Sequence, residues 1–338
     1  MREKYIQLGH GGGGRMAREL IAEEIVSRFG DGPLRGLPDA ATLPVLNIGT
    51  VFTTDSFVVQ PFEFPGGNIG DLAVHGTVND LAVAGARPLW LSLALILEEG
   101  LPLTDLRRVL DSLKHAADDC GVTVVTGDTK VVARGQADGI YINTAGIGAA
   151  LEGFSLSPDN MMPGDRVLVS GSVGDHGAAV LTAREGIDLV NGPDSDSAPV
   201  HRLVLAVQHL GSAVRFMRDP TRGGLASVLN ELVEERDIDI VLSEATIPVS
   251  KRTNAVTEIL GLDVLHLASE GRMLLVCAAD AEERILDVWH NMQEGAGAAT
   301  IGVVKKSDGG CGRLILDTRA GGRRLVDSPR GELLPRIC

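Results

Sequence analysis

The chain has 338 residues, 44 % hydrophobic and 22 % charged, with a formal net charge of −14. At roughly 150 residues per domain it has room for two domains with their own cores, and its charged fraction, near the average of about 25 %, excludes global disorder. A chain this acidic is a poor candidate for a nucleic-acid coat, which wants a basic face; the longest uncharged apolar run, residues 89–97, is too short for the roughly 20 residues of a membrane span.

Met1-Arg2-Glu3-Lys4 has no apolar stretch behind it, so no signal peptide is expected and the cytoplasm is the expected location. Glycine is abundant, at 42 residues, and scattered at the ends of apolar runs, as in an α/β protein with many tight turns. Gly11, Gly12, Gly13 and Gly14 lead into a helical pattern over 16–29. Residues 51–59 read as a strand containing Asp55, and 70–84 as a helix containing Asn79 and Asp80. A strand over 89–97 is followed by a helix over 105–119, with Thr104 as its N-cap and Leu106, Val109, Leu110 and Leu113 at helical spacing. A strand over 122–126 ends at Gly127-Asp128-Thr129-Lys130, and another covers 140–149. The texture then turns to Gly, Ser, Pro and Asn over 151–163, which marks a domain boundary.

The second half repeats the style, with helices over 175–184, 199–210, 224–235 and 281–292 and strands over 166–170, 238–242, 273–278 and 299–304. Residues 191–197 read as a loop without a signal. Asp219 and Arg222 stand beside a second glycine-to-helix junction, Gly223-Gly224, and Glu270 directly precedes a strand. After Leu316 the periodicity ends, so 317–338 reads as a mobile tail ending in Cys338.

Several of these features suit phosphate chemistry. Glycine lets backbone N–H groups approach an anion, and a helix N-terminus adds positive potential. The same run also serves as a plain hinge. There is no G-x-x-x-x-G-K-[ST] and no clean G-x-G-x-x-G, which excludes a P-loop and a Rossmann fingerprint. Asp55, Asp80 and Asp128 at element ends are turn residues if taken singly; if they converge they make an oxygen-rich magnesium site. Lys130 suits phosphate charge or proton transfer, and Glu270 a general base. Cys120, Cys277, Cys311 and Cys338 lack C-x-x-C spacing, which excludes a zinc ribbon or thioredoxin motif. Cys120 and Cys277 read as buried thiols; His10, His75, His176 and His266 show no metal-binding spacing, and most of them read as structural.

Together these stretches resemble the HypE family, the carbamoyl dehydratases of nickel–iron hydrogenase maturation. The resemblance rests on residues 7–14, 53–57, 64–86 (FPGGNIGDLAVHGTVNDLAVAGA), 97–102 (LEEGLP), 125–132 (VTGDTKVV), 142–146, 219–225, 268–273 and the terminal PRIC. It covers nearly the whole chain. The glycine runs are shared with the wider superfamily of aminoimidazole ribonucleotide synthetase and selenophosphate synthetase; PRIC and GDTKVV together are specific to the family.

The resemblance implies a two-domain fold of α/β and α+β class. Residues 1–153 would form an ATP-binding, dimerising domain, 154–316 an α+β domain, and 317–338 a mobile tail. It implies that a carbamoyltransferase, HypF, loads a carbamoyl group onto Cys338. ATP with Mg²⁺ then drives its dehydration to a thiocyanate, whose cyano group passes to iron on a HypC–HypD complex. Carried over by motif, Cys338, Lys130 and Glu270 would be catalytic. Asp55, Asp80 and Asp128 would hold the metal. Gly11 to Gly14, Asn79, Gly127, Thr129, Asp219, Gly223 and Gly224 would complete the nucleotide site. Apart from the resemblance, the charge of Arg336 suits steering the tail inward.

Two other enzyme readings are a selenophosphate or an aminoimidazole ribonucleotide synthetase, but residues 1–40 hold no Cys and neither reaction needs a C-terminal thiol. A reading from another class is a non-catalytic carrier that displays Cys338 and binds nucleotide for regulation. A purely structural protein would leave the glycine runs, the aspartates and the tail unexplained.

Overall fold

The computed structural model describes residues 4–12, 14–30, 33–34, 40–187, 189–234 and 236–328. Gly13, Arg336 and Cys338 lie outside them. A 3₁₀ turn, Leu8–Gly11, precedes a helical stretch built from α1 (Arg15–Leu20), a π-helical segment Ile21–Val26 and α2 (Ser27–Phe29). Then come β1 (Thr50–Phe57), β2 (Glu63–Phe64), β3 (Gly67–Asn68), α3 (Ile69–Val83), β4 (Ala86–Glu98), α4 (Leu103–Cys120), β5 (Thr123–Val132) and β6 (Ile140–Ala150). Four of the strands form a sheet in the order β1-β6-β4-β5, with β4 and β5 parallel and the other pairs antiparallel.

Strand alternation divides this sheet into two faces. Leu91, Leu93, Leu95 and Leu97 of β4 are buried with Leu72 of α3 and Leu106 of α4 in one core. Trp90, Ser92, Ala94 and Ile96 occupy the other face. α3 is buried on nearly every side, and two glycines allow that. A Cβ on Gly70 would stand 2.2 Å from the Val109 carbonyl of α4, and one on Gly76 2.8 Å from the Phe57 ring. Asn68 and Asp71 cap this helix reciprocally. α4 shows the expected spacing, but it starts at Leu103 behind Pro102. Thr104 is therefore not its cap; its hydroxyl donates to Asp105 Oδ1 at 3.1 Å. β5 also runs longer than expected, so Gly127-Asp128-Thr129-Lys130 lies inside the strand rather than at its end.

The rest of the described chain builds a second layer from β7 (Arg166–Val169), α5 (Asp175–Arg184), α6 (His201–Val207), β8 (Val214–Arg218), α7 (Gly224–Val233), β9 (Ile238–Ser243), α8 (Lys251–Leu260), β10 (Leu274–Cys277), α9 (Glu282–His290), β11 (Ala299–Lys306), β12 (Leu314–Asp317) and β13 (Arg323–Leu325). Its strand order is β13-β12-β9-β11-β7-β10-β8. Both faces are covered, and successive residues alternate between two cores. Val167, Val169, Leu274 and Val276 pack with Leu229 of α7, whereas Leu168, Leu275 and Cys277 pack with Trp289 of α9. The expected tail is ordered at its start: β13 pairs with β12, and Val326 is buried. Its edge position explains the missing hydrophobic period, since Arg323 and Arg324 face outward and pair with Asp317 and Asp263. Cys120 and Cys277 are buried, as expected, and burial pushes both thiols up to about 12.

Candidate active site

Two clusters of polar residues emerge, one buried and one exposed. The buried one begins on β1. Alternation turns Thr53 and Asp55 toward α3, where the Thr53 hydroxyl donates to Asp80 Oδ2 at 2.9 Å. The Ser56 N–H donates to Asp55 Oδ1 at 2.8 Å. From the second layer, β8 delivers Asp219, which is buried at its end. Gly223 and Gly224 then turn the chain into α7 with φ of +76° and +58°. A Cβ on Gly224 would stand 2.5 Å from the carbonyls of Leu265 and Leu267. This glycine therefore lets segment 265–270 pass directly beneath the turn, and the Ser269 N–H donates to the Pro220 carbonyl at 3.0 Å. The Gly224 N–H is itself engaged by the Thr221 carbonyl at 2.8 Å, so it is not a free phosphate donor.

That passage sets Glu270 in the interior, only 2 % exposed, and its Oε1 has no hydrogen-bond partner. Burial first, and then the charges of Asp219, Asp196, Asp55 and Asp80, raise its carboxyl well above the usual range. Burial and the neighbouring Asp80 push Asp219 up to about 7. Burial also raises Asp55 and Asp80. Carboxyls from β1, α3, β8 and the 266–272 segment thus share one low-dielectric region and repel each other. Such a set favours a proton, or a cation, between its members.

The second cluster lies along β5. Asp128 and Lys130 are exposed and form an ion pair, with Nζ 2.8 Å from Oδ1 and 2.7 Å from Oδ2. Hydrogen bonding to Lys130 holds Asp128 below the usual carboxylate range. A cleft of about 560 Å³ between β5 and the N-terminal helical stretch brings together Gly11, Gly127, Asp128, Thr129 and Lys130 against an apolar wall of Ile21, Ile25, Leu93 and Val124. A Cβ on Gly11 would stand 2.7 Å from the Val131 nitrogen, so this glycine lets the N-terminal turn rest on β5. Gly14 starts α1, and the Gly12 N–H donates to Gly9 at 3.3 Å.

The expected convergence of Asp55, Asp80 and Asp128 does not occur within one chain. β1 and β5 are opposite edges of the four-stranded sheet. Three strand spacings of about 4.8 Å separate them, roughly 14 Å. Register also puts the two aspartates on opposite faces. Asp55 pairs with Thr144, whose hydroxyl donates to Ala73 of α3, whereas Asp128 pairs with Ala94 on the other face. Among the described residues, no three His, Cys, Asp or Glu stand close enough to hold a metal ion. A magnesium ion held by one or two carboxylates and completed by phosphate oxygens and water still fits Asp55 and Asp80.

Asn79 is not poised for a ligand. It is fully buried, and its Nδ2 donates to the carbonyls of Ala198 and Glu270, each at 3.0 Å, while Oδ1 accepts from the Val200 N–H at 2.8 Å. It ties α3 to the second layer. The loop that carried no signal in the sequence is central here. Asp196 Oδ1 accepts the Glu270 N–H at 3.0 Å, and the side chain is buried 3.5 Å from Arg272. The repeated acid–hydroxyl pattern Asp194-Ser195-Asp196-Ser197 was the available signal. His75 and His176 are structural, as expected: their Nδ1 atoms meet Ser197 at 2.9 Å and Ser195 at 2.8 Å.

Residues 38–150 match the N-terminal domain of the AIR synthase related proteins, and residues 162–314 match the C-terminal domain. Carbamoyl dehydratase HypE of Rhizobium leguminosarum bv. viciae is 46 % identical over 334 residues, which is 98 % of this chain and 95 % of that protein. A crystal structure of the hydrogenase maturation protein HypE in complex with ATP is 42 % identical and superposes with a TM-score of 0.92 over 98 % of this chain and 99 % of that one. A chain from a HypE–HypF complex, also 42 % identical, has a TM-score of 0.80 over 92 % of this chain and 99 % of that one. Among the described residues, no helix is long and apolar enough to cross a membrane. With this likeness running the length of both layers, the chain belongs to the HypE family of carbamoyl dehydratases.

Proposed function

We propose that this protein dehydrates the S-carbamoyl group of its own Cys338 to a thiocyanate, with conversion of ATP to ADP and phosphate. The cyano group then serves as an iron ligand in a nickel–iron hydrogenase. The reaction balances: the carboxamide oxygen leaves on phosphate and its nitrogen gives up both protons. When bound, ATP supplies the phosphoryl group that makes a poor leaving oxygen a good one. The observation that carries this reading is Glu270, whose buried and unpartnered Oε1 is the acceptor that a carboxamide N–H requires. Burial and the neighbouring carboxylates raise its carboxyl well above the usual range, which makes it a stronger base than an exposed glutamate.

The other residues take roles that fit their places. Asp55 and Asp80 would hold Mg²⁺, and Asp219 would hold a proton beside Glu270. The cleft at Gly11, Gly127 and Thr129 suits a nucleotide: an apolar wall for a base and backbone for phosphates. Gly12 and Gly14 continue that edge. Lys130 would neutralise phosphate charge, and Asp128 reaches the acid cluster only from a second copy. The open sheet face supports such a homodimer: Phe52 is 65 % exposed there, and a shallow hollow joins Phe52, Trp90, Ala145 and Ile147. A relative solved with HypF supports HypF as a partner, here in the role of carbamoyl donor; HypC–HypD is the cyano acceptor that the family resemblance implies. A reaction that needs a free Cys338 thiol suits the reducing cytoplasm.

The test is phosphate release from Mg-ATP by the full-length chain, with and without carbamoylation of Cys338. One phosphate per carbamoyl group, and none without it, is expected. Release independent of carbamoylation favours a small-molecule synthetase, and no release in either state favours a carrier; both overturn this reading.

A further inference from the structure

We propose that Asp196 is a positioning residue for Glu270, acting through a strap, residues 195–200, that links the two layers. The inference rests on the reading of Glu270 as the base. Among the described residues, no hydrogen bond holds Glu270 Oε1; the residue is held by its backbone. Its N–H donates to Asp196 Oδ1 at 3.0 Å and its carbonyl accepts from Asn79 at 3.0 Å, so the residue is gripped on both sides. The strap lies flat on the next residue. A Cβ on Gly271 would stand 1.8 Å from the Asp196 carbonyl oxygen and 2.7 Å from the Ala198 nitrogen.

The strap is held along its length. The Ser195 N–H donates to Pro65 at 2.7 Å, and the Ser195 hydroxyl meets His176 at 2.8 Å. The Ser197 hydroxyl meets His75 at 2.9 Å. Asn79 binds the Ala198 carbonyl and the Val200 N–H. Serines thus fasten the strap to α3 and α5, while Asp196 between them turns to Glu270. Asp196 Oδ2 has no hydrogen-bond partner, and the nearest cation is Arg272 Nε at 3.5 Å. A buried carboxylate with one oxygen unengaged is unfavourable for stability alone. Its effect is to set the Glu270 main chain, and through it the reach of Oε1 into the acid pocket. Asn79, expected from the sequence to bind nucleotide, is the second grip of the same device.

Two substitutions separate positioning from charge. Asp196→Asn keeps an oxygen to accept the Glu270 N–H; Asp196→Ala removes it. In the full-length chain carrying carbamoylated Cys338, Asp196→Ala is expected to lower kcat by about 10²-fold, the effect of a misplacement of about 1 Å. KM for ATP should change little, and Asp196→Asn should restore most of kcat. Amide hydrogen exchange over peptides spanning 266–273 should quicken at Glu270 in Asp196→Ala and not in Asp196→Asn. Wild-type kcat or exchange in Asp196→Ala overturns the inference. So does an equal loss in both variants, or a loss that tracks ATP affinity or melting temperature. A wild-type chain that leaves carbamoylated Cys338 intact refutes the dehydratase reading instead, and the exchange measurement still decides the role of the strap.

Discussion

Glu270 and Asp128 are both carboxylates, yet their surroundings drive them in opposite directions. Glu270 is buried among four other acids and is raised well above its ordinary value. Asp128 is exposed beside Lys130 and is lowered. On the proposed reading the contrast divides the work of the protein. The interior holds carboxyls raised by burial and mutual repulsion, Asp219 to about 7, and the exposed edge of β5 holds a pair of opposite charges suited to phosphate. The expected trio of Asp55, Asp80 and Asp128 does not meet within one chain for the same reason: two belong to the first environment and one to the second.

The largest expected effect lies at neither cluster. Cys338→Ala should abolish thiocyanate formation, read by mass spectrometry, and leave ATP binding intact; loss of nucleotide binding would contradict a separate, arriving thiol. Next is Glu270→Gln, which keeps the shape but cannot accept a proton. It should lower kcat by roughly 10²–10⁴-fold, the range for a general base. An equal loss in Asp128→Asn would erase the contrast between the clusters.

Asp80→Ala should weaken Mg-ATP binding by about 10–100-fold, the order seen when metal-site partners are removed. Calorimetry with and without Mg²⁺ reads it, and unchanged affinity removes Asp80 from the site. The buried acids also make stability depend on pH. Asp219 titrates at about 7 when folded, against an ordinary 3.8. Between those values the folded chain holds a proton that the unfolded chain has lost. Its stabilising effect is full below the lower value, falls as pH rises, and is gone above the folded value. The melting temperature without ligand should therefore fall from pH 5 to 8, and Mg²⁺ with ATP should raise it more at pH 8 than at pH 5. A ligand effect that does not grow with pH would deny the acids a cation. The smallest effect is Lys130→Ala on stability, within about 0–1 kcal/mol for an exposed pair, even though activity falls.

The sequence was legible where local rules apply. Helical spacing located α4, and runs of β-formers located β1 and β6. Glu270 stood out because it directly precedes an apolar strand, and Asp219 because it stands beside a glycine-to-helix junction. What could not be read depends on pairing across distance. The separation of Asp55 from Asp128 follows from strand order, which no local pattern encodes. Asp196 meets Glu270 from 74 positions away in the chain. β13 carries charges where an edge strand turns outward, so it looks like tail.

The most direct measurement is the intact mass of the full-length chain after incubation with HypF, carbamoyl phosphate and ATP, and then with Mg-ATP alone. A gain of about 43 Da followed by a loss of about 18 Da, both on Cys338, is the prediction for a carbamoyl group added and then dehydrated on a covalent carrier. A gain that Mg-ATP leaves unchanged would contradict it, because the chain would then carry the group without transforming it.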